Sequence, residues 1–290
     1  VTAKQTDEAG RRPLFIVGID GEDGGWDATE LARTMAAPAE ARVLAVSVIP
    51  YGPLPIEFRE LDVDAGETAA PLLAEARELL VDLDVETRAF GGGSPAGVIG
   101  DLAESERADL IVVGSPHRGA IGRALIGSVA DNLLHGATCP VVVAPRGYAS
   151  ARHEPLRRIA VAHDGTPEAK RALREAEVIA ARGNGTIEVL TVVAPPTGMP
   201  GVTGYVPIDP PDPDRILTEA IDSVDASLAA TGRRLDGPPA ATLAEACADG
   251  VDLLVAGSRG YGPAMRVLLG SISTQLVHRA PCPVLVVPRP

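Results

Sequence analysis

The chain has 290 residues, enough for one large domain or two of ordinary size, and 46% of them are apolar, which excludes wholesale disorder. A formal charge of −13 argues against a protein whose main work is gripping nucleic acid or an anionic membrane, because that work needs lysine and arginine against phosphate. Aromatic residues supply only 3%, so the core has to be built from Ala, Val, Leu and Ile, a bias that suits parallel strands covered by alanine-rich helices.

In chain order, an apolar run over residues 14–19 ends at Asp20-Gly21. A helix follows with Ala28, Leu31, Ala32 and Met35 on its apolar side, spaced i, i+3, i+4, i+7. A second strand, "ARVLAVSVI", leads through a loop to a second helix, and a weaker third strand, "DVETRAF", comes next. The acidic run "RELDVDAGE" before that second helix reads as a solvated loop and helix start. A third helix leads to a buried fourth strand in "ADLIVVGS", then a glycine-rich stretch, a fourth helix and a last strand at "PVVVA".

The whole pattern then recurs. Asp20-Gly21 stands opposite Asp164-Gly165, 144 residues on, and Gly114, Gly127, Ser128, His135, Cys139 and Pro145 recur 143 residues on, from Gly257 to Pro288. In the second copy the first helix carries Ala169, Ala172, Leu173 and Ala176 on its apolar side, and the third strand is the poorer "GRRLDG". A period this long is a duplicated domain rather than a solenoid. The division expected is an N-terminal tail over 1–12, a first domain over 13–146, a linker over 147–156 and a second domain over 157–290. Strands alternating with helices predict an α/β fold of two tandem doubly wound domains, each a five-stranded mainly parallel sheet of order 3-2-1-4-5 with helices on both faces.

In open sheets of this kind a ligand sits beyond the strand carboxyl ends, where the winding reverses. That crevice would be faced by Asp20 and Gly114 in one copy and by Asp164 and Gly257 in the other. The stretch "GSRGYGPAMRVLLGS", residues 257–271, lets the backbone approach a ligand without a Cβ at Gly257 and Gly260. Gly270-Ser271 then opens the helix "SISTQLVHR", with Ile272, Leu276 and Val277 on its apolar side. A helix start offers unpaired N–H groups and the positive end of the macrodipole, which together suit a phosphate. No GxxxxGK[ST] occurs, so the lysine and hydroxyl–magnesium arrangement of phosphoryl transfer is missing. An alternative stays open on the residues alone: the glycines cap a strand and ease helix packing.

Gly-x-x-Gly, nine residues, then Gly-Ser, joined to Asp-Gly after the first strand and "CPVVVAP" at the end, resembles the universal stress protein family in its tandem-domain members. The resemblance covers both copies. It implies ATP binding, with or without Mg2+, for copies carrying the complete glycine pattern. In the second copy it places Asp164 and Val192 toward the adenosine end, Gly257 and Gly260 along ribose and phosphates, and Gly270, Ser271 and Ile272 at the phosphates. The first copy offers Asp20, Val48, Gly114, Gly127, Ser128 and Val129, but His117 stands where the pattern has its second glycine. The resemblance also implies that the last strands, which are edges to be covered, pair the two domains within one chain, and a homodimer is expected besides.

Other residues invite chemistry. His135 and His278 share one position near the end of the fourth helix, where a cation is stabilising on its own account. His163 precedes Asp164, but no nucleophile is placed to complete an acid–base pair. Arg123 and Arg266 correspond between copies and are forked donors suited either to a triphosphate or to solvent. Arg118 and Arg259 are similar without being equivalent. The proline-rich connection over residues 194–214 reads as a flap or plain linkage. Cys139, Cys247 and Cys282 have no ligand spacing and read as small buried residues. No apolar run reaches the roughly 18 residues of a membrane span, and "VTAKQTDEAGRR" has no signal-like stretch, so a cytoplasmic protein is expected.

The leading expectation is therefore a non-catalytic ATP-binding stress-response protein acting as nucleotide sensor or regulator. The alternative is a nucleotide-independent dimerisation and docking scaffold. A slow ATPase ranks third, because no lysine, metal-binding carboxylate pair or placed general base accompanies the glycines. No catalytic residue and no metal ligand is assigned, and the protein partner is left open.

Overall fold

The protein is described here by a computed structural model covering residues 11–50, 64–115, 128–151, 155–194, 212–258 and 271–289. The chain divides into two compact units, Val1–Pro155 and Leu156–Pro290.

The first unit runs β1 (Leu14–Gly18), α1 (Asp23–Ala39), β2 (Arg42–Ile49), α2 (Ala65–Leu79), β3 (Asp84–Gly91), α3 (Pro95–Ser105), β4 (Leu110–Gly114), α4 (Ser128–Gly136) and β5 (Val141–Ala144). Its strands are all parallel and lie in the order β3-β2-β1-β4-β5. The central strands are apolar throughout because both faces are covered: Ile16, Val17, Ile111 and Val112 are fully buried. Helices α1 and α2 cover one face, and α3 and α4 pack together on the other. The predicted stripe of α1 is the buried one, with Ala28, Leu31 and Ala32 inaccessible to solvent.

The start of α2 explains part of the acidic run. Asp64 is the N-cap, its Oδ1 accepting from the amides of Gly66 at 2.7 Å and Glu67 at 3.3 Å, which satisfies two donors that the first turn leaves unpaired.

The second unit repeats the plan with β6 (Arg158–Ala162), α5 (Pro167–Gly183), β7 (Thr186–Val193), α6 (Pro213–Asp222), β8 (Ala230–Asp236), α7 (Pro239–Cys247), β9 (Leu253–Gly257), α8 (Ser271–Arg279) and β10 (Val284–Val287). The order is β8-β7-β6-β9-β10, again parallel. Helix α5 buries Ala169, Ala172, Leu173 and Ala176 as its spacing predicts.

The third strand here is better than its sequence suggests. β8 pairs with β7 over seven positions, from Ala230 opposite Ile187 to Asp236 opposite Val193. Charge rather than apolar content supports it: Arg233 bridges to Glu188 on β7 at 2.9 Å and to Asp249 at 3.3 Å. A strand at the end of the order needs few apolar side chains, which is why periodicity under-reads it.

The segment after β5 is tied down. A short 3-10 turn, Tyr148–Ser150, lies against α1 with Tyr148 buried. Asp27 of α1 is itself buried, and its carboxylate accepts from the amides of Gly147 at 2.8 Å and Ala149 at 2.7 Å. The equivalent position on α5 is Arg171, whose guanidinium donates to the carbonyl of Pro288 after β10. Both copies thus fasten the chain after the last strand to the first helix, with opposite charges doing the same work.

Candidate functional site

In the second unit, β6 lies beside β9 with Ala162 opposite Ala256, so their carboxyl ends share one edge. A cleft opens over them. Its floor is apolar, from Ala162, Leu190, Val192 and Ala256. Leu243 of α7 and Ile272 and Leu276 of α8 form one wall, and Asp164, Thr166 and Glu168 stand on the opposite rim.

Each rim residue has a local cause. Gly165, with φ of 81°, lets the chain turn sharply out of β6. Asp164 Oδ1 accepts from the Thr166 amide at 3.2 Å and its hydroxyl at 2.6 Å. Thr166 caps α5 by accepting from the Ala169 amide at 3.3 Å. Burial acts to raise the Glu168 carboxyl, but its own backbone amide and Arg289 outweigh it and hold the group below the usual carboxylate range. The Glu168–Arg289 ion pair also neutralises what would be a bare negative charge beside the cleft.

Gly257 is required by close approach. A Cβ there would come within 2.8 Å of the backbone carbon and oxygen of Glu168, in the first turn of α5. Gly114 plays the same part against the first turn of α1, more tightly, with a Cβ placed 1.8 Å from the carbonyl oxygen of Gly24. At both positions the missing side chain admits a helix start over the end of the fourth strand. This is a packing reason for the glycines, and in the second unit it also keeps the rim of the cleft low.

The first turn of α8 is drawn onto the end of β9 by Ser273, whose hydroxyl donates to the Gly257 carbonyl at 3.1 Å. Ser273 is buried and lines the cleft. Sequence reasoning passed over it; the available signal was a small polar residue on the inner side of a short helix. The first unit has Ala130 at the equivalent position and so lacks this tether.

Of the residues expected from the second copy, Asp164, Val192, Gly257 and Ile272 are brought together around the cleft. Ser271 opens α8. Gly260 and Gly270 lie outside the described residues, as do Arg259 and Arg266. In the first copy Asp20 opens the turn after β1, exposed, and accepts from the Glu22 amide at 3.0 Å. Val48 lies near the end of β2, Gly114 ends β4, and Ser128 and Val129 begin α4. Gly127, His117, Arg118 and Arg123 lie outside the described residues, as do 195–211 of the proline-rich connection.

The other tempting side chains have structural partners. His135 Nδ1 is 2.6 Å from the Asp131 carbonyl oxygen, within α4. All three cysteines are buried; burial first, then the charge of Asp109, pushes the Cys139 thiol up to about 12. The Cys282 thiol is also raised, first by its hydrogen bond to Cys247 and then by burial. Among the described residues no cluster of His, Cys, Asp and Glu could hold a metal ion. No helix among them is long and apolar enough to cross a membrane.

Comparison with known proteins agrees with this architecture. A universal stress protein of Mycobacterium tuberculosis is 28% identical over 305 aligned positions, covering 93% of this chain and 95% of its own. A universal stress protein of Methanocaldococcus jannaschii is 33% identical over 138 residues, 44% of this chain and 79% of its own. The crystal structure of a universal stress protein from Archaeoglobus fulgidus superposes with a TM-score of 0.74 at 21% identity, covering 97% of this chain and 100% of that one. The sequence profile of the universal stress protein family matches residues 15–145 and again 155–288. With both halves of the chain matched and the doubly wound fold present in each, the protein belongs to the universal stress protein family, a family of stress-response proteins.

Proposed function

We propose that the second unit binds an adenine nucleotide, ATP in the first instance, in the cleft over β6 and β9, and that the protein acts as a non-catalytic nucleotide sensor or regulator. The observation that carries the reading is the convergence of Asp164, Val192, Gly257 and Ile272 on one cleft with an apolar floor and a helix start at its wall. An adenine ring suits the apolar floor. The Asp164 carboxylate is an acceptor for hydroxyl or amino donors at the adenosine end. The first turn of α8, held against β9 by Ser273, presents unpaired amides to the anionic tail. Mg2+ would enter with the nucleotide, on its phosphates, rather than on a protein cluster.

The titratable side chains around the cleft favour binding over turnover. Glu168 is held below the usual carboxylate range by its own backbone amide and Arg289, which makes it a weak base, and Asp164 has one oxygen bonded to its own turn. A bound nucleotide regulates only if two states of the protein, or of its assembly, bind it unequally. The homodimer expected from the family is the assembly to examine.

Denaturing the purified protein and analysing the supernatant tests this reading. Adenine nucleotide is expected from the wild type and from Gly127→Ala, and none from Gly270→Ala. Loss with Gly127→Ala alone would move the site to the first unit. Steady phosphate release with magnesium would replace the sensor with an ATPase.

A further inference from the structure

The second unit has a recess of about 290 Å³ between α5 and α6. Just past the end of β6, Asp164 borders the nucleotide cleft, whereas His163 lies between that cleft and the recess and lines both. His163 is only 4% exposed. Its Nδ1 accepts from the Gly165 amide at 3.3 Å, which in the neutral ring leaves the proton on Nε2. Nε2 is buried and has no hydrogen-bond partner. Buried donors are almost always paired, so an orphan that borders a recess points to an acceptor that is missing from it.

The walls supply the matching charge. Lys170 and Arg174, one helical turn apart on α5, both line the recess, and neither side chain makes an ion pair or hydrogen bond among the described residues. Lys170 is close enough to act on the imidazole, which burial first and then that positive charge hold below its usual range. Two carboxylates also line the recess, and each has a partner of its own. Glu177 accepts from the Asp225 amide at 2.8 Å, and Glu219 pairs with Arg215 at 3.4 Å.

The first unit is an internal control. The positions equivalent to His163, Lys170 and Arg174 carry Ile19, Trp26 and Glu30, and Glu30 is closed off by a 2.6 Å ion pair with Arg33. The donor and both cations are peculiar to the second copy, so they are not a requirement of the fold.

We propose that this recess is a second ligand site, sharing only His163 with the nucleotide cleft, which takes a small oxyanion through the His163 Nε2–H, the Lys170 ammonium and the Arg174 guanidinium. The chemistry is that of a carboxylate or a phosphate, acceptor-only groups that satisfy a buried N–H and two cations together.

The test is a titration of the full chain, labelled for NMR, with inorganic phosphate and separately with succinate at millimolar concentration. The His163 ring signal, identified by its absence in His163→Ile, and the Gly165 amide are followed. His163→Ile installs the residue found at the equivalent place in the first unit, so folding is expected to survive. Saturable shifts of both signals with at least one probe are expected, and the probe that acts identifies the anion. At least a tenfold weaker response is expected in Lys170→Ala/Arg174→Ala, whose changes lie on the exposed side of α5. No response to either probe overturns the proposal. So does an undiminished response in the double variant, which would place the anion elsewhere.

Discussion

Gly114→Ala is expected to destabilise the first unit by about 3 kcal/mol, the upper end of the usual overpacking range. The added methyl would sit 1.8 Å from the carbonyl oxygen of Gly24 and 2.4 Å from its carbon. Both atoms are backbone, so relief requires α1 to lift off the end of β4, taking the buried Ala28 and Leu31 with it. Trp26, the chain's one tryptophan, lies in α1 and reports on this unit alone. Urea unfolding followed by its fluorescence should show the midpoint falling by roughly 1–3 M for an m-value typical of small domains. Gly257→Ala offers a graded comparison. Its methyl would be 2.8 Å from the Glu168 backbone, a milder clash. Its cost is expected near the lower end of the range, about 1 kcal/mol. If Gly114→Ala were neutral, or milder than Gly257→Ala, the packing role of these glycines would be wrong.

Asp27→Ala is the second large effect, at about 2–4 kcal/mol for two hydrogen bonds to a buried carboxylate. The released amides of Gly147 and Ala149 can reach water, since both residues are exposed, and this keeps the cost below the sum of two fully buried bonds. The loss is local as well as global. Without its two anchors the turn that buries Tyr148 is free to open, so trypsin should cut after Arg146 markedly faster than in the wild type. Asp27→Asn keeps one acceptor oxygen and should fall between. Unchanged cleavage in Asp27→Ala would show that Tyr148 alone holds the turn.

These two residues mark the limit of what the sequence discloses. The strands and the faces of α1 and α5 were legible because parallel strands buried on both sides read as continuous apolar runs and helices as periodic stripes. The duplication added a second, independent reading of each element. Asp27 was not legible. An acid on the buried side of α1 reads as an error in the stripe until its partners, about 120 residues on, are placed beside it. The same holds for Arg171 and Pro288, and for Glu168 and Arg289. β8 was under-read for a different reason, since its support comes from charges on neighbouring elements rather than from its own apolar content.

The cleft was legible in outline. The strand order and the placing of Asp164 and Gly257 at adjacent strand ends follow from the winding rule, and Val192 and Ile272 came from the family resemblance. What could not be read was how α8 is held, because the Ser273–Gly257 bond joins a side chain to a backbone carbonyl sixteen residues away. His163 was weighed only as a partner for Asp164. The structure places both beside the cleft, but only the imidazole also borders the recess between α5 and α6.

Calorimetric titration of nucleotide-stripped protein with ATP, comparing Val192→Trp with Val48→Trp, tests the central claim most directly. Val192 lines the floor of the cleft, and Val48 holds the equivalent place on β2 of the first unit. The account predicts saturable binding by the wild type and by Val48→Trp, and its loss when the indole fills the second unit's cleft. Wild-type protein that takes up no ATP at millimolar concentration, or binding that survives Val192→Trp and disappears with Val48→Trp, would contradict it.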